Sequence, residues 1–238
     1  MNSLGVFCNQ EVERFNRLLA VIKQQLDMLD KAIAGTVVMS QDLENIMNCF
    51  INLKTPELWL STSLGYPCLK PLGSWFDDFL KRLEFMRSWL VDGPPLSYWI
   101  SCFFFPQGFM TATQQTYARK TQTPIDTLAF RTNVMQLKRS DLTEEARPEI
   151  GVNIHGLLLQ GAKWSYEKKC VDDSDPKVPI IEFPVIWLEP IEDKEYSLDK
   201  RYQCPLYKTS TRAGELSTTG HSTNFVLYLD LPIDGSQL

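Results

Sequence analysis

The sequence predicts an α+β protein: an N-terminal helical bundle followed by a small antiparallel β-barrel. Two observations point to the helices. Between residues 12 and 33 apolar side chains recur at steps of three and four, the spacing of one helical stripe. Between residues 72 and 89 they cover most of a helix circumference. A third points to the sheet. Beyond Asp126 the texture turns to short β-branched and aromatic runs separated by turn residues, as strands are. The change divides the chain into a helical subdomain, 1–126, and a β subdomain, 127–238.

In the first helix the stripe holds Val12, Phe15, Leu19, Ile22, Leu26, Leu29 and Ile33, with Glu13, Arg14, Lys23, Gln24 and Lys31 facing away. Gly35 follows, where a left-handed residue ends a helix. Such a helix either packs on its own domain or mates with a neighbouring one. A polypeptide that opens directly into it is expected to be a piece of something longer. Ser40 is placed to cap a second helix carrying Leu43, Ile46, Met47, Phe50 and Ile51. Pro56, Pro67 and Pro71 punctuate the connection to a third, whose Leu72, Trp75, Phe76, Phe79, Leu80, Leu83, Phe85, Met86 and Trp89 mark it as central rather than superficial. Asp92-Gly93-Pro94-Pro95 stops it. Another helix is expected over 111–120, ending before Pro124.

Strands are expected over 128–135, 152–159, 164–170, 183–188, 202–208 and 225–231. Val152 and Ile154 oppose Asn153 and His155 in parity, the pattern of a strand with one buried face. A short helix with Ser140 as its cap is expected over 140–147.

A protein of 238 residues buries roughly 70 % of its unfolded surface and requires neither staples nor metals. Net charge −5 argues against nucleic acid and against direct docking on the acidic surface of a microtubule, because both need clustered cations. The basic pair Lys168-Lys169 is answered by Asp172, Asp173 and Asp175, a solvated turn. Six cysteines occur with no CxxC pair, and buried or free thiols are expected. The longest apolar cluster, near Ile100, is far short of the ~18 residues of a membrane span.

The chemical motifs fail one by one. Gly156 and Gly161 have P-loop spacing, but Lys163 comes one position late and no Ser or Thr follows to hold Mg²⁺. A hairpin turn at Gln160-Gly161 explains the glycines better. Only His155 and His221 exist, far apart, so no metal set is expected. Gly220-His221-Ser222 is no nucleophile elbow. Asp77-Asp78, Glu144-Glu145 and Asp172-Asp173 are neighbours that diverge. A hydrolase built on Cys102 or Ser222 with a histidine is the weakest reading. No catalytic, cofactor-binding or metal residue is assigned. The aromatic load, six Trp, thirteen Phe and eight Tyr, suits an interaction surface or a well-filled core equally.

Longer motifs carry a resemblance. Pro94-Pro95-Leu96-Ser97-Tyr98-Trp99-Ile100-Ser101 leads into Phe103-Phe104-Phe105-Pro106-Gln107-Gly108-Phe109, then Ala118-Arg119 and Pro124-Ile125-Asp126. His155-Gly156-Leu157, Gln160-Gly161-Ala162-Lys163-Trp164 and Ser217-Thr218-Thr219-Gly220-His221 follow. With Glu11, Arg14, Asn16 and Leu18 of the first helix, these resemble the C-terminal domain of dynein heavy chains over the full sequence, of the axonemal kind.

The resemblance implies a helical bundle plus small barrel lying on a ring of ATPase modules, with the ATP sites and the microtubule-binding stalk elsewhere. Trp99, Phe105, Pro106, Gln107, Gly108, Phe109, Asp126, Gly156, Gly161, Trp164 and Gly220 would be structural or interface positions. Phe15, Leu19, Ile22 and Leu26 would form a ring-contact helix. The implied partners are the ring modules of its own heavy chain, with other dynein subunits as a further expectation; the implied places are cytoplasm, cytoskeleton and cilium axoneme. The competing expectation is a stand-alone β module that binds a peptide or small ligand on exposed Trp164 and Trp187.

Overall fold

A computed structural model describes residues 2–193, 201–207 and 225–232. Within them the α+β class holds. The described residues form two compact units: 8–91, all helical, and 2–7 with 92–193, 201–207 and 225–232, which carries the strands. Residue 126, where the texture of the sequence changes, marks the start of the longer strands.

In the helical unit, α1 (Ser3–Ile33) begins earlier than the stripe suggests and is followed by Gly35 at φ +75°. Its buried column runs through Glu11, Phe15, Leu18, Ile22, Gln25 and Leu29, with Leu18 fully buried and Gln25 half-buried. Leu19 and Leu26, each 37 % exposed, and Ile33, 65 % exposed, stand beside that column rather than in it. The offset has a chemical cause. Two seam positions are polar, so hydropathy passes over them, and Gln25 is there because its Oε1 accepts the Trp59 indole N–H at 2.6 Å.

α2 (Gln41–Ile51) starts as expected, with Ser40 Oγ accepting the Leu43 N–H. Leu29, Leu43 and Ile46 form a small core with Ala32, Met39, Met47 and Phe50. The short α3 (Glu57–Leu60) buries Trp59. α4 (Leu72–Asp92) buries one face only: Trp75, Phe79, Met86 and Trp89 are inside, whereas Phe76, Leu80, Leu90 and Val91 are exposed. The expectation that it is enclosed on nearly all sides is therefore corrected. Its inner face builds an aromatic ladder, Trp59 on Trp75 at 5.4 Å, Trp75 on Phe79 at 5.2 Å, and Tyr66 on Trp75 at 5.9 Å. Asp78 is sealed beside it by Arg82 Nε at 2.6 Å and Lys70 Nζ at 2.7 Å, and the Arg82 guanidinium lies 4.3 Å from the Tyr66 ring centre.

The mixed unit holds β1 (Tyr98–Trp99), α5 (Pro106–Thr121), β2 (Leu128–Val134), β3 (Val152–His155), β4 (Leu158–Gln160), β5 (Ala162–Ser165), β6 (Cys170–Asp173), β7 (Ile180–Glu182), β8 (Ile186–Glu192), β9 (Arg201–Tyr207) and β10 (Phe225–Pro232). Among the described residues these form one four-stranded sheet, β1-β3-β8-β2, and three two-stranded ones, β4-β7, β5-β6 and β9-β10. No closed barrel is found among them. All pairs are antiparallel except β1 with β3, which is parallel.

Several local expectations are corrected. All four residues of β3 are buried, Asn153 and His155 as much as Val152 and Ile154, so both faces of the strand are covered. The parity pattern therefore does not sort an inner from an outer face. The backbone does not turn back at Gln160-Gly161. Gly161, at φ +71°, is a kink between β4 and β5, and its N–H donates to Pro179 O. The reversal lies beyond β5, where Lys169 takes φ +55° and its N–H donates to Ser165 O. β4 to β7 thus read as one long ribbon, and the single strand expected over 164–170 is split by its turn. Two 3-10 turns, Arg139–Asp141 and Glu144–Ala146, replace the short helix, and Ser140 Oγ donates to Asp141 Oδ1 instead of capping. α5 starts at Pro106 because proline is tolerated at the first helical position, where its missing N–H costs nothing.

Candidate functional site

The motif residues from two distant stretches meet at one junction. β1 pairs in parallel with β3, Tyr98 opposite Ile154 and Trp99 opposite His155. Ser97 Oγ and His155 Nδ1 are 2.9 Å apart, both buried. The Trp99 indole N–H donates to Ser101 Oγ at 2.8 Å, which donates on to Gly156 O at 2.9 Å. The Trp99 ring stacks against His155 with 6.5 Å between centres. Gly156 has φ +84°, and a Cβ there would lie 2.6 Å from Trp99 Nε1. Only glycine lets the backbone pass that close to the indole. The junction is braced behind by Asn153, whose Nδ2 donates to Leu96 O and Ala146 O, and by Arg147, which donates to Pro94 O.

The remaining motif positions divide between core and surface. Phe109 is buried between Phe7, Tyr98 and Phe103, with ring centres 5.0 to 5.7 Å away. Pro106 is buried at the start of α5 and Gln107 is half-buried. Gly108 lies against the Phe105 ring, which is itself largely exposed. Asp126 is exposed in the 3-10 turn Ile125–Thr127. Trp164 is 5 % exposed, sits edge-on to Phe183 and donates to Gln136 Oε1. That burial removes the aromatic platform expected of a stand-alone module, and Trp187 is tied down by its bond to Ile150 O. Gly220, His221 and Ser222 lie outside the described residues.

Of the four helix-contact candidates, Phe15 and Ile22 are buried within the helical unit, Phe15 facing Phe79. Leu19 and Leu26 keep exposed surface. The burial of Leu18 and the Asp78 cluster are not foreseen by the sequence reading. The signal for Leu18 is its spacing of three and four from Phe15 and Ile22, which fits the hydropathy stripe through Leu19 equally well.

The Ser97–His155 hydrogen bond is enclosed on all sides. Ser97 and His155 are 6 % and 2 % exposed. Burial, with Arg139 nearby, pulls the His155 pKa down to about 3, and the ring is neutral at pH 7. The P-loop-like glycines lie between short strands, with no α-helix after them among the described residues, and Lys163 is paired to Asp175. Among the described residues no three His, Cys, Asp or Glu side chains gather as a metal set. No helix there is long and apolar enough to cross a membrane. All six cysteines are free thiols; burial, and secondarily Glu11, raises the Cys8 pKa to about 11.

What the helical unit offers instead is apolar surface in rows. Leu19, Leu26 and Ile33 repeat every seven residues along α1, and Phe76, Leu80 and Leu90 follow one side of α4.

Comparison with known proteins gives a consistent result. The family model for the C-terminal domain of dynein heavy chains matches residues 1–237. The sequence is 48 % identical over 230 residues to human dynein axonemal heavy chain 1, an alignment that takes in 97 % of this protein and 5 % of that one. It is 44 % identical over 250 residues to human dynein axonemal heavy chain 6, with 98 % and 6 % aligned. With human dynein axonemal heavy chain 12 it shares 45 % over 232 residues, with 98 % and 7 % aligned. It thus spans a small fraction of the length of these relatives.

Proposed function

Because this protein belongs to the family formed by the C-terminal domains of dynein heavy chains, we propose that it is a non-catalytic structural and regulatory module. It docks on the ATPase ring of its own heavy chain and biases which ring conformations are populated during microtubule-based movement in the ciliary axoneme. The observation that carries this reading is the pair of exposed apolar rows, on α1 and on α4. Each row keeps its residues on one side of its helix. Leu19 and Leu26 are the contact residues of choice on α1, since Phe15 and Ile22 are spent on the core. The buried state of Ser97 and His155 supports the non-catalytic part.

The test is to place Leu19→Asp with Leu26→Asp in the heavy chain that carries this domain, then measure ATP turnover and microtubule gliding velocity. A changed coupling between the two rates, with the domain still folded, supports the reading. Rates indistinguishable from the unaltered motor would sink it.

A further inference from the structure

An open cleft of about 710 Å³ lies in the mixed unit, between the segment after β2 and the β4–β7 ribbon. Its floor is apolar: Trp164 and Phe183 are buried edge to face, with Ile181 half-buried beside them. Lys138 and Arg139 stand exposed on its rim. Among the described residues neither side chain forms an ion pair. The third cation, Lys163, is clasped by Asp175, and Glu182 is the remaining acid of the lining.

We propose that this cleft is the binding site for an extended, carboxylate-rich peptide segment of a partner protein. The volume falls in the range of ligand sites, but the cleft is open, so an occupant lies along it rather than filling it. Single exposed cations contribute little alone. Recognition therefore needs several contacts in register, which a peptide with spaced carboxylates supplies to Lys138 and Arg139, the latter through its bidentate fork. Trp164 and Phe183 are buried beneath the cleft, so an apolar side chain between the carboxylates rests on the half-buried Ile181. A compact polyanion fits worse, because its concentrated charge would sit close to Glu182 and Asp175. The site is separate from the apolar rows on the helical unit, so it stands or falls independently of docking on the ring.

The test uses the whole 238-residue protein and a fluorescein-labelled pentapeptide of four glutamates around one phenylalanine, read by fluorescence anisotropy. Saturable binding is expected, weakened roughly tenfold or more by K138E/R139E. The pair K54E/K81E, which changes net charge equally at exposed positions elsewhere, should leave it unchanged. Both double variants should melt as the unaltered protein does, since none of the four side chains is buried. Equal weakening by the two variants would show general electrostatics and overturn the proposal. So would absence of saturable binding, or displacement of the peptide by tripolyphosphate at lower concentration than by unlabelled peptide.

Discussion

The Trp99 indole covers the backbone of Gly156 so closely that no side chain fits between them. Alanine at 156 would have to hold a left-handed backbone and also displace the indole, which is held by its bond to Ser101. Gly156→Ala should therefore cost about 3 kcal/mol of stability, measured by urea denaturation. Gly73→Ala, in α4 with open space around its Cβ, should be neutral or stabilising.

His155 makes stability depend on pH in a definite direction. Its folded pKa, about 3, lies below its ordinary value near 6.5 because the ring is buried and Arg139 is near. As pH falls through 6.5 the unfolded state takes up a proton that the folded state refuses, so stability drops. The loss between pH 7 and pH 5 should be roughly 2 kcal/mol from this group. His155→Gln should flatten that part of the profile, whatever it does to stability at pH 7.

Asp78 acts in a lower window. Burial alone would raise its pKa, but Arg82 and Lys70 outweigh burial and hold the carboxyl below its ordinary value. A depressed carboxylate stabilises the fold above its unfolded pKa, near 3.9, and that contribution disappears as pH falls through the folded value. Asp78→Asn should cost about 3 kcal/mol at pH 7, because it strands the mostly buried Arg82. Its penalty should shrink as pH is lowered below 4, as thermal melts across that range would reveal.

Two adjacent leucines on α1 should behave oppositely. Leu18→Ala empties a fully buried site and should cost about 3 kcal/mol. Leu19→Ala, on a partly exposed neighbour, should cost under about 1 kcal/mol. Denaturant midpoints of the two variants decide between the observed seam and the stripe read from hydropathy.

The helices are legible in the sequence because their signals are local. The Ser40 cap, the Gly35 stop and the stretch around Trp75 each lie within a few residues of the element they define. The seam of α1 is only half legible, because a glutamine that serves a distant tryptophan does not look like a core residue. The strands are legible as β texture, but their partners are not. Gly161 is a kink rather than a turn because β6 pairs with β5 and β7 with β4 on either side of it, and those pairings depend on residues well beyond the local string. The motif residues Trp99 and Gly156 both stand out as strings, yet nothing in either string says that they touch. His155, which falls on the polar parity of its strand, is buried for the same reason: its partner Trp99 is far off in sequence.

The parallel pairing of Tyr98 with Ile154 has a kinetic consequence. Joining two strands over so long a separation requires closing a large loop before any ladder bond forms, and β1 offers only two residues to repay that entropy. The β2–β8 ladder, seven paired residues long, should nucleate first, and β1 should be added once β3 is seated on β8. In a refolding experiment the Trp99 signal would rise after the bulk of the ellipticity, and native-state hydrogen exchange would open the Tyr98 edge before the interior of β8.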